Sequence, residues 1–347
     1  MKRYAWIDIL KGGAILLVVL AHYNQNFTAS LPVFSKIASI GARGPQFFFV
    51  ISAFLTWGSL SKRNEFSFQG YTTFIGSRLN RILPEYYLAL LLALVLFLVG
   101  FKYPGNLDGE GYVSHVLLVN GFIPKYCNNI LTVEWYIADL VIFYMFAPII
   151  KIFVNNLRQS LVFFSICVLI SIGFALLTQA LGNGTCPDYY QTQCIIVQMP
   201  VLAIGIVLYY LLISKHSYWL TSVVFLLTVV VAFLLYWRWA IMSTSLIAGL
   251  LFGWLCVTMS VVEEKGWFIR WSWLKFLGKY SLGIYLFHVF IIKAFTEIPA
   301  FEKFTMQIHG WVSIYAITIL AATMLSVTLG KGREHIGFLN KSKKKLD

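Results

Sequence analysis

Within WIDILKGGAILLVVLAHY, Trp6 to Tyr23, a lysine at 11 and a histidine at 22 interrupt an otherwise apolar run. Ionisable groups are costly in hydrocarbon, so such positions ask for a functional explanation. Eleven residues are three helical turns plus about 20°, which puts both side chains on one helix face, about 16 to 17 Å apart along the axis. Asp8 falls near the same face. The lysine and the histidine cannot meet, and a shared reaction needs something extended to join them. Lys11, near a helix end, can snorkel to the headgroups and hold phosphates, whereas a buried neutral imidazole can act as a base near neutral pH. A phosphopantetheine arm has about that reach. The spacing therefore suits a coenzyme A thioester with its phosphates near Lys11 and its acyl carbon near His22. Plainer readings stay open: Lys11 as an interfacial anchor or Asp8 partner, His22 as an interhelical hydrogen-bonding group. Gly12 and Gly13 permit a close helix approach or a kink beside the lysine.

The elements that position these residues follow from composition. The chain has 347 residues, of which 59% are apolar and only 12% charged, and its apolar runs of about 20 residues are bilayer-spanning in length. They are continuous rather than alternating, which predicts helices and not a barrel. The expected fold is an all-α polytopic membrane protein of about ten transmembrane helices. These lie near 6–27, 45–60, 82–101, 134–154, 160–181, 195–213, 218–237, 242–262, 277–296 and 308–329. A net charge of +13 raises nucleic acid as a partner, but the basic residues fall in loops between spans and gather on no single surface, so membrane lipids are expected instead. Placing the N-terminus in the cytoplasm leaves only Lys36, Arg43, Lys102, Lys125, Arg238, Lys293 and Lys303 outside, of 27 Lys and Arg. The positive-inside rule then puts both termini in the cytoplasm. The first span has no cleavage signature of a removable leader. Residues 1–330 read as one transmembrane domain and 331–347 as a basic cytoplasmic tail.

Five cysteines are present. Cys167 and Cys256 lie within spans, and Cys127, Cys186 and Cys194 lie in outer loops, where an odd number leaves any pairing open. No metal-ligand spacing appears, and no metal is expected. The connection from about 102 to 133 is long, turn-rich and external, with a short apolar stretch at 112–123; loops of that length are often functional.

A basic residue, ten intervening residues and a histidine in the first span resemble the signature of the acyltransferase type 3 family, membrane enzymes that acylate bacterial surface glycans. Further likenesses follow in order. RGPQFFFVISAFL (Arg43 to Leu55) resembles the family's second span, and SRLNRILPEYY (Ser77 to Tyr87) its basic inner loop and Pro-Tyr helix start. EWYIADLVIFYMFAPII (Glu134 to Ile150) is similar to its tryptophan-led helix, and LGKYSLGIYLFHVFI (Leu277 to Ile291) to its late glycine, serine, tyrosine and histidine segment. Ala53 stands where members often have glycine, and apolar residues stand where longer members have acids before Phe-Tyr, which resembles the short members made of the membrane domain alone. The resemblance implies an O-acyltransferase, an acetyltransferase above all, of the bacterial cytoplasmic (inner) membrane. Its donor would be cytoplasmic acetyl-CoA or another acyl-CoA, and its acceptor a cell-surface or lipid-linked saccharide.

Roles are then assigned by depth. His22 is the expected general base, and Asp139, at about the same depth in the fourth span, is the acid expected to orient it. Glu134 and Trp135 lie at the outer mouth, where an aromatic face can stack on a sugar, and Arg43 near that mouth suits an oxyanion or an acidic acceptor. On the inner side, Arg78 and Arg81 join Lys11 as expected donor-phosphate ligands. Ser281, Tyr285 and His288 at i, i+4 and i+7 form a polar stripe that would line the donor channel. Two competing functions remain. A transporter or polysaccharide exporter of the same fold predicts internal repeats, which the sequence lacks, and a non-catalytic scaffold leaves the aligned polar positions unexplained.

Overall fold

A computed structural model describes residues 4–29, 31–62, 67–101, 107–181, 188–213, 244–266 and 271–343, with single positions between 223 and 230 and backbone alone at 188–189 and 333–343. Among the described residues the chain is helical and has no strand. Among the described residues eight helices are long and apolar enough to cross a membrane, nine if one bent pair counts as a span, and the chain is an all-α polytopic membrane protein. The span expected over 218–237 falls almost entirely outside the described residues. Lipid-facing helices look the part: along α7, Leu157–Leu181, the side chains of Val162, Leu169, Ile170 and Leu176 are exposed. In water such a face would be a liability; in hydrocarbon it costs nothing.

The chain divides into two compact units, Met1–Ile7 with Pro45–Leu83 and Gly105–Arg270, and Asp8–Gly44 with Pro84–Pro104 and Trp271–Asp347. Helix α4, Phe68–Leu98, passes from one to the other at its internal Pro84. It starts well before the expected 82, so the basic "loop" around Arg78 and Arg81 is helix.

The first unit is built on α3 (Gly44–Leu60), α6 (Trp135–Phe153), α7, α9 (Ile195–Ile213) and α10 (Thr244–Glu264). Gly205 makes the α3–α9 contact possible, since a Cβ there would collide with the Val50 carbonyl and press on Ala53. A buried amide network of Gln46, Gln198 and Ser245 ties α3, α9 and α10 together, with Gln46 Nε2 donating to Ser245 Oγ at 3.2 Å. Between α4 and α6 lies the connecting segment: α5 (Gly109–Val116), two 3-10 turns (Asn120–Phe122 and Pro124–Tyr126), then the run to Glu134. Short α8 (Asp188–Gln193) precedes α9; Cys127 and Cys194 are buried here, and Cys186 lies outside the described residues.

The second unit gathers α1 (Ala5–Asn26) from Asp8 onward, its first turn belonging to the first unit, with short α2 (Pro32–Gly41), the distal part of α4, and α11 to α14: Ser272–Lys279, Ser281–Thr296, Pro299–Thr305 and Ile308–Lys343. α1 is one unbroken helix, as the Lys11–His22 spacing requires. It is clamped to α14 by Tyr23, whose hydroxyl donates to the Trp311 carbonyl at 2.9 Å, by Trp311 Nε1 donating to the Phe27 carbonyl at 2.6 Å, and by Tyr315 donating to the Leu16 carbonyl at 2.8 Å. The expected span 277–296 is α12 preceded by the last turn of α11, and the two helices meet at a 77° bend at Tyr280. Two glycines let α11 lie against α1, because a Cβ on Gly12 would overlap the Leu274 carbonyl and one on Gly278 the Asp8 carbonyl. Beyond residue 330 the last helix simply continues to Lys343.

Candidate functional site

In the second unit, α1 and α12 bring His22 and His288 together, ring centroids 5.2 Å apart and planes tilted by 49°. They are 266 residues apart in sequence. His288 is completely buried. Its Nδ1 lies 3.1 Å from the Ile284 carbonyl, an acceptor only, so Nδ1 carries a proton and Nε2 of the neutral ring presents a lone pair. That Nε2 has no hydrogen-bond partner among the described residues. Buried polar atoms are paired in the great majority of cases, so this open lone pair inside a membrane-spanning bundle is spare hydrogen-bonding capacity beside a second imidazole. His22 is half-buried and is hydrogen-bonded to the Gln25 side chain one turn on. Tyr285 extends the polar stripe, its ring 6.1 Å from that of His288, and Ser281 is buried at the start of the same helix. Lys11 is half-buried on α1, on the face that three turns later carries His22.

Glu85, which sequence reasoning passed over, lies in the same unit. Its Oε2 lies 3.3 Å from where a Cβ on Gly283 would stand, in the first turn of α12, beside Ser326. A carboxylate within an otherwise apolar span was the available signal. Arg43 is half-buried at the end of this unit's first stretch.

In the first unit, Arg78 is half-buried between aromatic faces, its guanidinium 5.4 Å from the Phe74 ring centroid and 5.7 Å from that of Tyr144, and Nη2 donates to the Leu55 carbonyl at 3.4 Å. Arg81, one turn on, is exposed. Asp139 is wholly buried in α6, and neither carboxylate oxygen has a hydrogen-bond partner among the described residues. One turn before it, Tyr136 packs on Phe49 at 4.8 Å and approaches Ser52 Oγ at 3.4 Å. Trp135 is buried against Phe49, ring centroids 5.8 Å apart.

Glu134 is placed differently from the open outer mouth expected of it. It is fully buried, with Oε1 accepting from the Ile130 amide at 2.6 Å and lying 3.2 Å from His115 Nε2, while Oε2 accepts from the Val133 amide at 3.0 Å. Its acceptor capacity goes to the connecting segment.

A bundle of membrane-crossing helices with a histidine pair and an unpartnered imidazole lone pair in its interior defines an intramembrane site suited to proton transfer. The family model of the acyltransferase domain, acyltransferase 3, matches residues 4–329, and the chain belongs to that family of membrane acyltransferases. No curated protein matches the chain, and no solved structure does.

Proposed function

We propose that the protein is an O-acyltransferase, specifically an O-acetyltransferase, of the bacterial cytoplasmic membrane, with both termini in the cytoplasm. It moves the acyl group of a cytoplasmic acyl-CoA to a hydroxyl of a cell-surface or lipid-linked glycan. His22 is the general base. It takes the acceptor's hydroxyl proton as that oxygen attacks the thioester carbonyl; the carbon–sulfur bond breaks, the ester carbon–oxygen bond forms, and the proton passes to the departing thiolate. His288 stands beside His22 with its tautomer fixed, so its Nε2 can steady the imidazolium that forms. Lys11, Arg78 and Arg81 serve the phosphates of the donor. Arg43 serves the oxyanion or an acidic acceptor, Trp135 shapes the outer end of α6, and Ser281 and Tyr285 line the path of the donor arm. Glu134 anchors the connecting segment beside Trp135 at the acceptor end of α6.

The observation that carries this reading is the His22–His288 pair with its open Nε2. The test is transfer of labelled acetyl from acetyl-CoA to maltotriose or chitotriose by purified protein in detergent. His22→Ala should lose roughly 10²- to 10⁴-fold in turnover, the worth of a positioned general base, at unchanged protein level and melting temperature. Wild-type turnover in that variant removes the role, and a silent wild type on both sugars speaks for a pure exporter.

A further inference from the structure

The connecting segment is built inside-out. Leu117 and Phe122 are 63% and 53% exposed, with Val113, Val116 and Val119 exposed beside them, while Ser114, His115 and Asn120 are buried. In water that arrangement is costly; in hydrocarbon it is the stable one. The backbone agrees. The amides of Leu117, Leu118, Val119, Phe122 and Ile123 all donate to carbonyls of the segment itself, between Val113 and Asn120, as a chain dipping into lipid requires. The charged groups sit at its two ends, where Lys125 Nζ lies 3.4 Å from Asp108 Oδ2 and Tyr126 donates to Glu110 Oε2 at 2.8 Å. Both ends are thus at one polar level with an apolar apex between them.

The apex of the segment packs on α6. Leu118 adopts φ 60°, a left-handed conformation that disfavours a leucine, immediately before the turn Asn120–Phe122. That turn lies directly on α6: a Cβ on Gly121 would stand 3.0 Å from Ala138 Cβ and from Ile142. Asn120 precedes Gly121 and Asp139 follows Ala138. Both side chains are wholly buried, and neither the Asn120 amide, nitrogen or oxygen, nor the Asp139 carboxylate has a hydrogen-bond partner among the described residues. One donor and three acceptor oxygens left open in an otherwise apolar interior match a polyhydroxylated ligand.

We propose that Asp108–Tyr126 is a re-entrant segment whose apex is embedded in the leaflet where α6 begins, and that its Asn120 joins Asp139 as a hydroxyl-binding pair for the saccharide acceptor. This rests on the acyl-transfer reading for the ligand's role, and not for the segment's depth. Two measurements test it. Single cysteines replacing Leu117 or Phe122 in native membranes should resist a membrane-impermeant maleimide, whereas a cysteine replacing Lys125 should react; equal labelling of all three overturns the re-entrant segment. Asn120→Ala should raise the KM for chitotriose or maltotriose by roughly tenfold, the worth of one or two lost hydrogen bonds, with the KM for acetyl-CoA and the melting temperature unchanged. An unchanged acceptor KM overturns the pair while acyl transfer stands. If the wild type transfers nothing, calorimetric binding of the same sugars, lost in Asn120→Ala, upholds the pair without the transferase, and equal binding by both proteins overturns it.

Discussion

His115 and His288 are both fully buried histidines in helices of a membrane protein, and by burial alone they are indistinguishable. Their hydrogen bonds separate them. His115 spends both ring nitrogens, Nδ1 at 2.7 Å from the Gly111 carbonyl and Nε2 at 3.2 Å from Glu134. His288 spends one, on the Ile284 carbonyl, and keeps Nε2 open beside a second imidazole. The first ring has no remaining capacity to exchange a proton with a substrate and serves to fasten α5 to the start of α6. The second has that capacity and nothing among the described residues uses it. What distinguishes a reactive buried group here is the valence left over after the fold has taken its share.

The largest effect that sharpens this contrast is expected at His288. His288→Gln keeps the size of the side chain and removes the imidazole, and it should lower kcat by roughly 10- to 100-fold, less than loss of the base itself, while the melting temperature moves little. A pre-steady-state assay of acyl transfer at saturating donor and acceptor reads it. Full turnover in this variant would make His288 a second structural histidine and erase the comparison.

The converse holds for His115. His115→Ala strands Glu134 in the interior with one partner fewer, and losing one side of such a buried pair costs about 3 kcal/mol. The melting temperature in detergent should fall clearly, while turnover of the folded fraction at saturating substrates persists. The reverse pattern, lost turnover at full stability, would place chemistry at His115.

The contrast also marks how far the sequence could be read. Lys11 and His22 lie on one helix, so their relation is local, and periodicity alone predicts a shared face that the unbroken α1 provides. Run lengths likewise place the spans, because apolar residues in sufficient number admit only a membrane helix. His288 was legible as part of a stripe, but its partner was not: 266 residues separate it from His22, and only packing of α12 against α1 joins them. The 77° bend at Tyr280 was hidden for a related reason. LGKYSLGIYLFHVFI reads as one run from Leu277, and the bend sits two residues after Gly278, which lies against the Asp8 backbone, a tertiary contact with no sequence period. Asn120 sat in what reads as an external loop, and its burial depends on which face of that loop meets lipid.

The smallest expected effect tests the rule where it is most tempting to break it. Glu263 lines a cavity of about 360 Å³ in the first unit together with Trp6, Phe54 and Tyr209, a setting in which a carboxylate invites a catalytic role. Its oxygens, however, are engaged as those of Glu134 are: Oε1 accepts from the Ala5 amide and Oε2 from the Trp6 amide, both at 3.1 Å. These are first-turn N–H groups of α1, which a helix cannot satisfy internally, and a carboxylate is favoured at that end of the helix dipole. Glu263 is therefore a capping group supplied from α10. Glu263→Gln keeps one acceptor oxygen and sets an amide against the other N–H, so it should cost about 1 kcal/mol, the usual worth of a helix cap, seen as a small drop in melting temperature with kcat and both KM values unchanged. A loss of turnover at full stability would show that satisfied hydrogen bonds do not exclude chemistry in this protein, and the distinction between His115 and His288 would need another physical basis.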